Sequence, residues 1–418
     1  MQAPGPWRTG RPGKHWSIER TRRVEIVTKV LIAGVGMTEF HRPGKGPDYT
    51  VLGREAAVAA IRDAGLNYRD IQHVYAGYVF GGPVAGQRVI YQLGLTGVPV
   101  VNVNNTCATG STALFLARQA ILSGQAECVL ALGFEQMAPG PINLAYADYP
   151  SPLGRHLDKL AAAGGRVDGA SLPEFYGYAG REYQQRYGTL AETFGRIAVK
   201  ARRHAANNPR ALFRTPVTLE EVMASPPLCP PITRLQACPP TCGGAAAVLC
   251  TEAFARKHGL TPRVEIVGQA LETDHEDVFS ADSMLALIGP GMAAAAATKA
   301  YEQAGWGPRD AQVIELHDCF TVNELVMYEA LGLAEEGEAE KLVCDGDNTY
   351  GGAWVVNPCG GLLSKGHPLG ATGMAQCFEV VEQLRGNAQE RQVDGARRAI
   401  QHNLGLGGAC VVTAYAAV

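Results

Sequence analysis

The sequence of 418 residues predicts a layered α/β fold built around a largely buried sheet. Three observations carry this. Short apolar runs of strand length alternate with amphipathic stretches in both the first and the last third of the chain. The runs lack alternating polar positions, so helices must cover both faces of the sheet. Between them, residues 138–240 hold no such run and are rich in Pro, Tyr and Arg.

The elements follow in order. Val30–Gly36 reads as a buried strand ending in glycines, and a helix follows from about Thr50 to Gly65. Val98–Val103 is a strand that feeds an amphipathic stretch reaching Ser123, and Cys128–Gly133 is a further strand. In the 138–240 segment two helices stand out, around Tyr178–Tyr187 and Thr193–Asn207, and prolines close it (Pro226, Pro227, Pro230, Pro231, Pro239, Pro240). A long insertion of this kind in an α/β chain reads as a mostly helical lid. Strands resume at Ala245–Cys250, Val264–Gly268 and Val313–Leu316, with helices at Ala293–Ala304 and Ala371–Leu384. Ile400–Tyr415 reads as two strands around Gly405, Gly407 and Gly408. Ala108-Thr109-Gly110 and Ala371-Thr372-Gly373 open two of the helices, a weak internal echo that a repeated architecture would explain.

Composition narrows the class. Apolar residues make up 46% and charged residues 18%, an ordinary globular balance with core enough for two to three domains. A net charge of -3 gives no global attraction for nucleic acid or an anionic membrane, and no apolar run approaches the roughly 20 residues of a bilayer span. Eleven cysteines, an odd number scattered along the chain, suit reduced thiols in a cytosol-like compartment rather than a disulfide framework. Residues 1–29 are basic without a secretory apolar centre, and read as a disordered extension. The C-terminus Tyr415-Ala416-Ala417-Val418 carries no Ser-Lys-Leu-type address.

Candidate chemistry sits in four places. Cys107 stands between the Val98–Val103 strand and the following helix, where unpaired N–H groups favour thiolate. It reads either as a nucleophile for acyl groups or as a small buried thiol packed under a helix. His317 and Cys319 lie two apart at a strand end, so they point the same way and can share a cavity. The alternative is incidental polar residues. His367 follows a glycine-rich loop just before a helix and could take a proton from a thiol or complete an oxyanion hole. That loop lacks the Gly-Lys-Ser/Thr ending of a phosphate cradle. The turn at Gln401–Gly408 exposes backbone N–H groups. Cys229, Cys238, Cys242 and Cys250 cluster in sequence, but their spacing is not that of a zinc ribbon, so no metal is expected.

Taken together these segments resemble the thiolase superfamily, and more narrowly its sterol-carrier-protein type, from about Leu31 to Tyr415. Val101–Leu116, Tyr176-Gly177-Tyr178-Ala179-Gly180, His317-Asp318-Cys319-Phe320, Asp347–Gly352, Gly366-His367-Pro368 and Gln401–Gly408 carry the likeness. The resemblance implies two similar βαβαβαββ halves in five layers with an inserted loop domain. That gives a first half at 30–137 plus 238–268, the insertion at 138–237 and a second half at 269–418. It implies a 3-ketoacyl-CoA thiolase, an acyltransferase of lipid metabolism and fatty acid β-oxidation. CoA and acyl-CoA would be its substrates and partners, no cofactor would be covalently bound, and a homodimer or dimer of dimers is implied.

By the same resemblance, Cys107 holds the acyl group, His367 accepts its proton and Cys319 is the second acid/base. His317 and His367 form one oxyanion hole, and the N–H groups of Cys107 and Gly405 form the other. Most thiolases carry the second thiol in the C-terminal glycine loop. Here that place, near Asn403, has none, and Cys319 takes the role as in the sterol-carrier type. With the sequence ending at Val418, no carrier domain is expected, and on that expectation "lipid-transfer" naming would reflect homology alone. A retro-aldolase of steroid side-chain breakdown is the alternative, although such chains lack both thiols. A non-catalytic lipid-binding protein is the third reading. The location is read as cytoplasmic, with peroxisome or mitochondrion as alternatives.

Overall fold

The computed structural model describes residues 28–140, 150–167 and 172–418. The basic extension falls, up to residue 27, outside the described residues. The strands are β1 (Val30–Met37), β2 (His73–Gly77), β3 (Val100–Val103), β4 (Cys128–Glu135), β5 (Pro227–Cys229) and β6 (Ile232–Thr233). Then follow β7 (Gly243–Thr251), β8 (Val264–Glu272), β9 (Val313–Glu315), β10 (Val355–Val356), β11 (Arg398–Gly405) and β12 (Ala409–Ala417).

Ten of them form one sheet in the order β10-β9-β11-β12-β8-β1-β7-β4-β2-β3. From each end inward the two sets of five have the same connectivity. In the first set β2 pairs in parallel with β3 and β4, and β7 runs antiparallel to β4 and β1. In the second set β9 pairs in parallel with β10 and β11, and β12 runs antiparallel to β11 and β8. A single pairing, Leu31 with Glu265, joins the sets. The halves are therefore two copies of one topology, as the Ala-Thr-Gly echo suggests. Because β8 pairs along its length with β12, residues 264–268 belong to the second strand set, not to the first half where the sequence reading put them.

Helices cover both faces of each set, which is why strands such as β4 and β7 are apolar along almost their whole length. Tyr49–Asp63 packs on the outer face of the first set and Pro290–Ala304 on that of the second. Between the sets lie Thr109–Leu122 and Leu369–Arg385, which pack against each other and complete five layers. These two helices cross at their glycines. A Cβ on Gly110 would stand 2.9 Å from Gly370 O, and one on Gly373 only 2.2 Å from both N and Oγ of Ser111. Only glycine on both sides allows this approach, and it brings together the N-termini that carry Cys107 and His367.

The inserted region is mostly helical in its described parts, with Gly154–Ala162, Leu172–Tyr187, Ala191–Ala205 and Leu219–Ala224, plus the β5–β6 pair. It is less a flap than a part of the core. Phe175, Tyr176, Tyr183, Phe194 and Ile197 share one apolar cluster with Leu325, Val326 and Tyr328 of the Thr321–Ala330 helix. The Lys200–Glu324 ion pair, buried with Tyr328 at hand, fixes how the two meet.

Candidate active site

One cavity of about 750 Å³ gathers residues from many stretches of the chain, with Cys107, His317, Cys319 and His367 following the carboxyl ends of parallel strands, where open α/β sheets place their ligands. β3 delivers Cys107, β9 delivers His317 and Cys319, β10 leads through Asn357–Gly366 to His367, and β11 ends in Gly405. Glu135 ends β4 behind this site and does not itself line the cavity. The insertion contributes Tyr176 among others.

The Cys107 turn is held by its own polar residues. Asn105 N donates to Thr109 Oγ1 (2.8 Å), whose hydroxyl donates to Thr106 O (2.6 Å), and Thr106 lies at a φ of 48°. Thr106 Oγ1 donates across to Leu406 O (3.2 Å). Gly405 is pressed so closely on this turn that a Cβ there would meet Thr106 Oγ1 at 2.3 Å and Ala108 N at 3.1 Å. The structure thus brings Gly405 to Cys107, 298 residues earlier in the chain. The thiol itself departs from expectation. Two N–H groups next to it already have partners, Ala108 N on Asn105 O and, at the first helical position, Thr109 N on Thr106 O. Burial first, then Glu135, push the Cys107 pKa up to about 12, although part of the side chain remains open to the cavity. It rests as a thiol, not a thiolate.

The two histidines are set in opposite tautomers. The Asn403 amide nitrogen lies 3.0 Å from His317 Nδ1. An amide nitrogen only donates, so His317 carries its proton on Nε2. Thr372 Oγ1 donates to Pro368 O (3.0 Å) and is 2.6 Å from His367 Nδ1. It therefore accepts from Nδ1–H and leaves the buried His367 Nε2 as a bare lone pair with no partner among the described residues. Burial pushes His367 down to about 3, and burial with His367 and His402 nearby lowers His317 as well, so both rings are neutral. Their centroids are 5.1 Å apart at 86°, and one ring nitrogen of each lies within 4.8 Å of Cys107 Sγ and of the other. One imidazole is a donor and the other a base beside the same sulfur.

Cys319 is buried, and its thiol is pushed above its usual range by burial while the Tyr176 hydroxyl hydrogen-bonds to it. Cys238, a third thiol on the cavity, is fixed by its N–H on Cys319 O (2.9 Å). Asp318, between His317 and Cys319, accepts from Leu362 N (2.6 Å) and Leu363 N (3.4 Å), tying this strand end to the loop that carries His367. Burial and Glu324 hold its carboxyl above the ordinary range.

Cys107, His317, Cys319 and His367 all line the cavity, with Leu172, Leu228, Leu235, Phe320 and Leu406 as apolar walls. No carboxylate lines it among the described residues. Cys107, His317 and His367 are also the one group of three His, Cys, Asp or Glu donors there that could share a metal ion. Cys229, Cys238, Cys242 and Cys250 form no such group. Sequence reasoning gave no role to Asn403, Thr372, Glu135 or Tyr176. Glu135 accepts from Val79 N (3.0 Å), Phe80 N (3.0 Å) and Gly370 N (2.9 Å), binding the start of the His367 helix to the first half. A carboxylate ending an apolar strand was its one visible sign.

Comparison with known proteins agrees with this architecture. Residues 30–224 match the family model described as thiolase, N-terminal domain, and residues 271–415 match that described as thiolase C-terminal domain-like. The chain is 51% identical over 391 residues to sterol carrier protein 2 of Homo sapiens, covering 93% of this chain and 72% of that protein. Among solved structures, an Ltp2-ChsH2(DUF35) aldolase superposes with a TM-score of 0.76 at 27% identity, covering 93% of this chain and 98% of that one. Human mitochondrial 3-ketoacyl-CoA thiolase superposes with a TM-score of 0.71 at 19% identity, over 94% and 99%, a likeness of fold.

Proposed function

Because the chain belongs to the thiolase family, an acyltransferase family that works on CoA thioesters, we propose that it is a 3-ketoacyl-CoA thiolase of the sterol-carrier type. It acts through a Cys107-linked acyl-enzyme. The observation that carries this reading is the convergence of Cys107 Sγ with two oppositely protonated imidazoles within 4.8 Å, with Cys319 on the same cavity.

In the cleaving direction His367 Nε2 takes the Cys107 proton as the sulfur attacks the 3-keto carbon. The resulting alkoxide is held by the N–H groups of Cys107 and Gly405. Its collapse breaks the C2–C3 bond and sends the electron pair into the enolate of acetyl-CoA. His317 Nε2–H and the protonated His367 stabilise that enolate, and Cys319 protonates C2. The thiol of a second CoA gives its proton to the Cys319 thiolate and displaces the acyl group, the departing Cys107 sulfur takes its proton back from His367, and the chain leaves two carbons shorter. Condensation is the reverse.

The apolar walls and the cavity volume favour medium, long, branched or sterol-side-chain acyl groups. We further infer a homodimer. β3 is an edge strand with Val101 exposed and Leu95 near it, an open edge that pairing with a second copy would close. Sedimentation of the purified chain tests this. No helix among the described residues is long and apolar enough to cross a membrane. All eleven cysteines are free, which suits a reducing compartment: the cytoplasm, or a peroxisome or mitochondrion.

The test is mass spectrometry after mixing with a 3-ketoacyl-CoA. An acyl adduct on Cys107 is expected, and Cys107→Ala should lower thiolysis by several orders of magnitude. Unchanged thiolysis in that variant overturns the reading. The likeness to the aldolase structure favours a retro-aldolase as second reading, which predicts carbon–carbon cleavage with no adduct.

A further inference from the structure

Phe213 has two guanidiniums over one ring. Arg202 lies 4.2 Å and Arg42 5.3 Å from its centroid, and all three residues line the cavity. Arg202 is only 9% exposed, yet its guanidinium makes no hydrogen bond or ion pair with any described residue. Arg42 is exposed and likewise has no carboxylate partner among them. The ring is firmly placed, because Phe213 N donates to Ser364 O (3.0 Å) and Leu212 N to Lys365 O (3.1 Å), on the loop that carries His367. Two like charges held beside one ring, one of them buried, without a carboxylate to neutralise them, are unfavourable in the free protein. A bound anion removes that cost.

We propose that Arg202 and Arg42, gathered on Phe213, form an anion-binding station that takes phosphate oxygens of the CoA nucleotide. This rests on the CoA-thioester reading above. Charge favours phosphate over the lone carboxylate of an acyl-chain end. Arg234 and Arg166 also line the cavity, Arg166 paired with Glu174, and no acidic side chain lines it among the described residues. Such a surplus suits a polyanion.

The experiment is calorimetric titration of the full chain with 3′-phospho-ADP and, separately, with pantetheine, on the parent, Arg202→Met and Arg42→Met. Arg202→Met should weaken 3′-phospho-ADP binding by about tenfold or more and leave pantetheine binding alone. It should also melt higher than the parent without ligand, since an unpaired buried charge is gone, a rise that a merely structural role would not give. Arg42→Met, at an exposed position, should weaken nucleotide binding by roughly threefold. Equal 3′-phospho-ADP affinity in the parent and both variants overturns the proposal. So does a result in which Arg202→Met instead loses its preference for ω-carboxyacyl over plain acyl N-acetylcysteamine thioesters, since the anion would then sit on the acyl chain. Because binding is read without turnover, a chain that proved to be no thiolase would still give a decisive answer here.

Discussion

Replacing Gly373 by Ala tests whether the glycine crossing of the two central helices sets the distance between Cys107 and His367. The new Cβ would stand 2.2 Å from Ser111 N and Oγ. Ordinary carbon contacts begin near 3.4 Å, so the helices must part by about 1.2 Å or deform. Overpacking of this kind destabilises by about 1–3 kcal/mol. Helix propensity alone argues the other way, since Gly→Ala in a helix interior stabilises by up to about 1 kcal/mol. The sign of the stability change therefore reports on the crossing. If Cys107 and His367 are the nucleophile and base proposed above, a displacement near 1 Å between them should lower kcat/KM for thiolysis by about a hundredfold. Gly291→Ala is the control, for that helical glycine has open space around its Cβ position; it should gain stability and keep activity. Denaturant melts and thiolysis assays on both variants decide the matter. A Gly373→Ala protein as stable as its parent, with kcat/KM within about threefold, would refute the reasoning.

Further outcomes follow from the polar groups. Thr372→Val removes the acceptor that fixes the His367 tautomer. It should lower kcat by about ten- to a hundredfold while KM moves little, with Thr372→Ser restoring most of the loss. Since Cys107 rests as a thiol with its pKa near 12, its alkylation by iodoacetamide should keep rising with pH beyond 9 without a plateau. A plateau near pH 7 would point to a thiolate. The pH profile of acylation should show no loss of base near pH 6.5, because His367 stays neutral down to about 3. Stability should fall as pH drops below the unfolded histidine value near 6.5. His204, His317, His367 and His402 all have lowered pKa values, so their contribution is complete above that value and lost toward their folded values. The slope from them is at most about 5 kcal/mol per pH unit, read by denaturant melts at pH 7 and pH 5.5.

Much of this was legible in the sequence where one residue type dominates a run. β1, β4 and β7 announce themselves because both faces are covered and polar residues are excluded. The four candidate side chains that meet on the cavity were visible because a Cys, a His two residues from a Cys, and a His before a helix are rare in such places. β2 passed unnoticed, since His73–Gly77 is five residues long with one β-branched member. β8 was given to the wrong half because a strand's partner is not written in its own residues. The pairings that tune the site, Asn403 with His317 and Tyr176 with Cys319, join positions 86 and 143 residues apart, so no local pattern contains them. The thiol's raised pKa was hidden for the same reason. A helix mouth predicts one sign, and only the packed surroundings, burial first and then Glu135, give the other.

The single pairing between Leu31 and Glu265 has a practical consequence. The connection at residues 258–263, between the Glu252–Lys257 helix and β8, is the place where the chain passes from one strand set to the other. Severed there, each fragment would keep five strands in their full order. One would hold the thiol of Cys107 and the other both imidazoles, Cys319 and Gly405. On the roles proposed above, neither fragment would turn over alone, and activity would need both together. Turnover would then report the docking of one half on the other, through the packing of Thr109–Leu122 on Leu369–Arg385 and of the insertion on Thr321–Ala330.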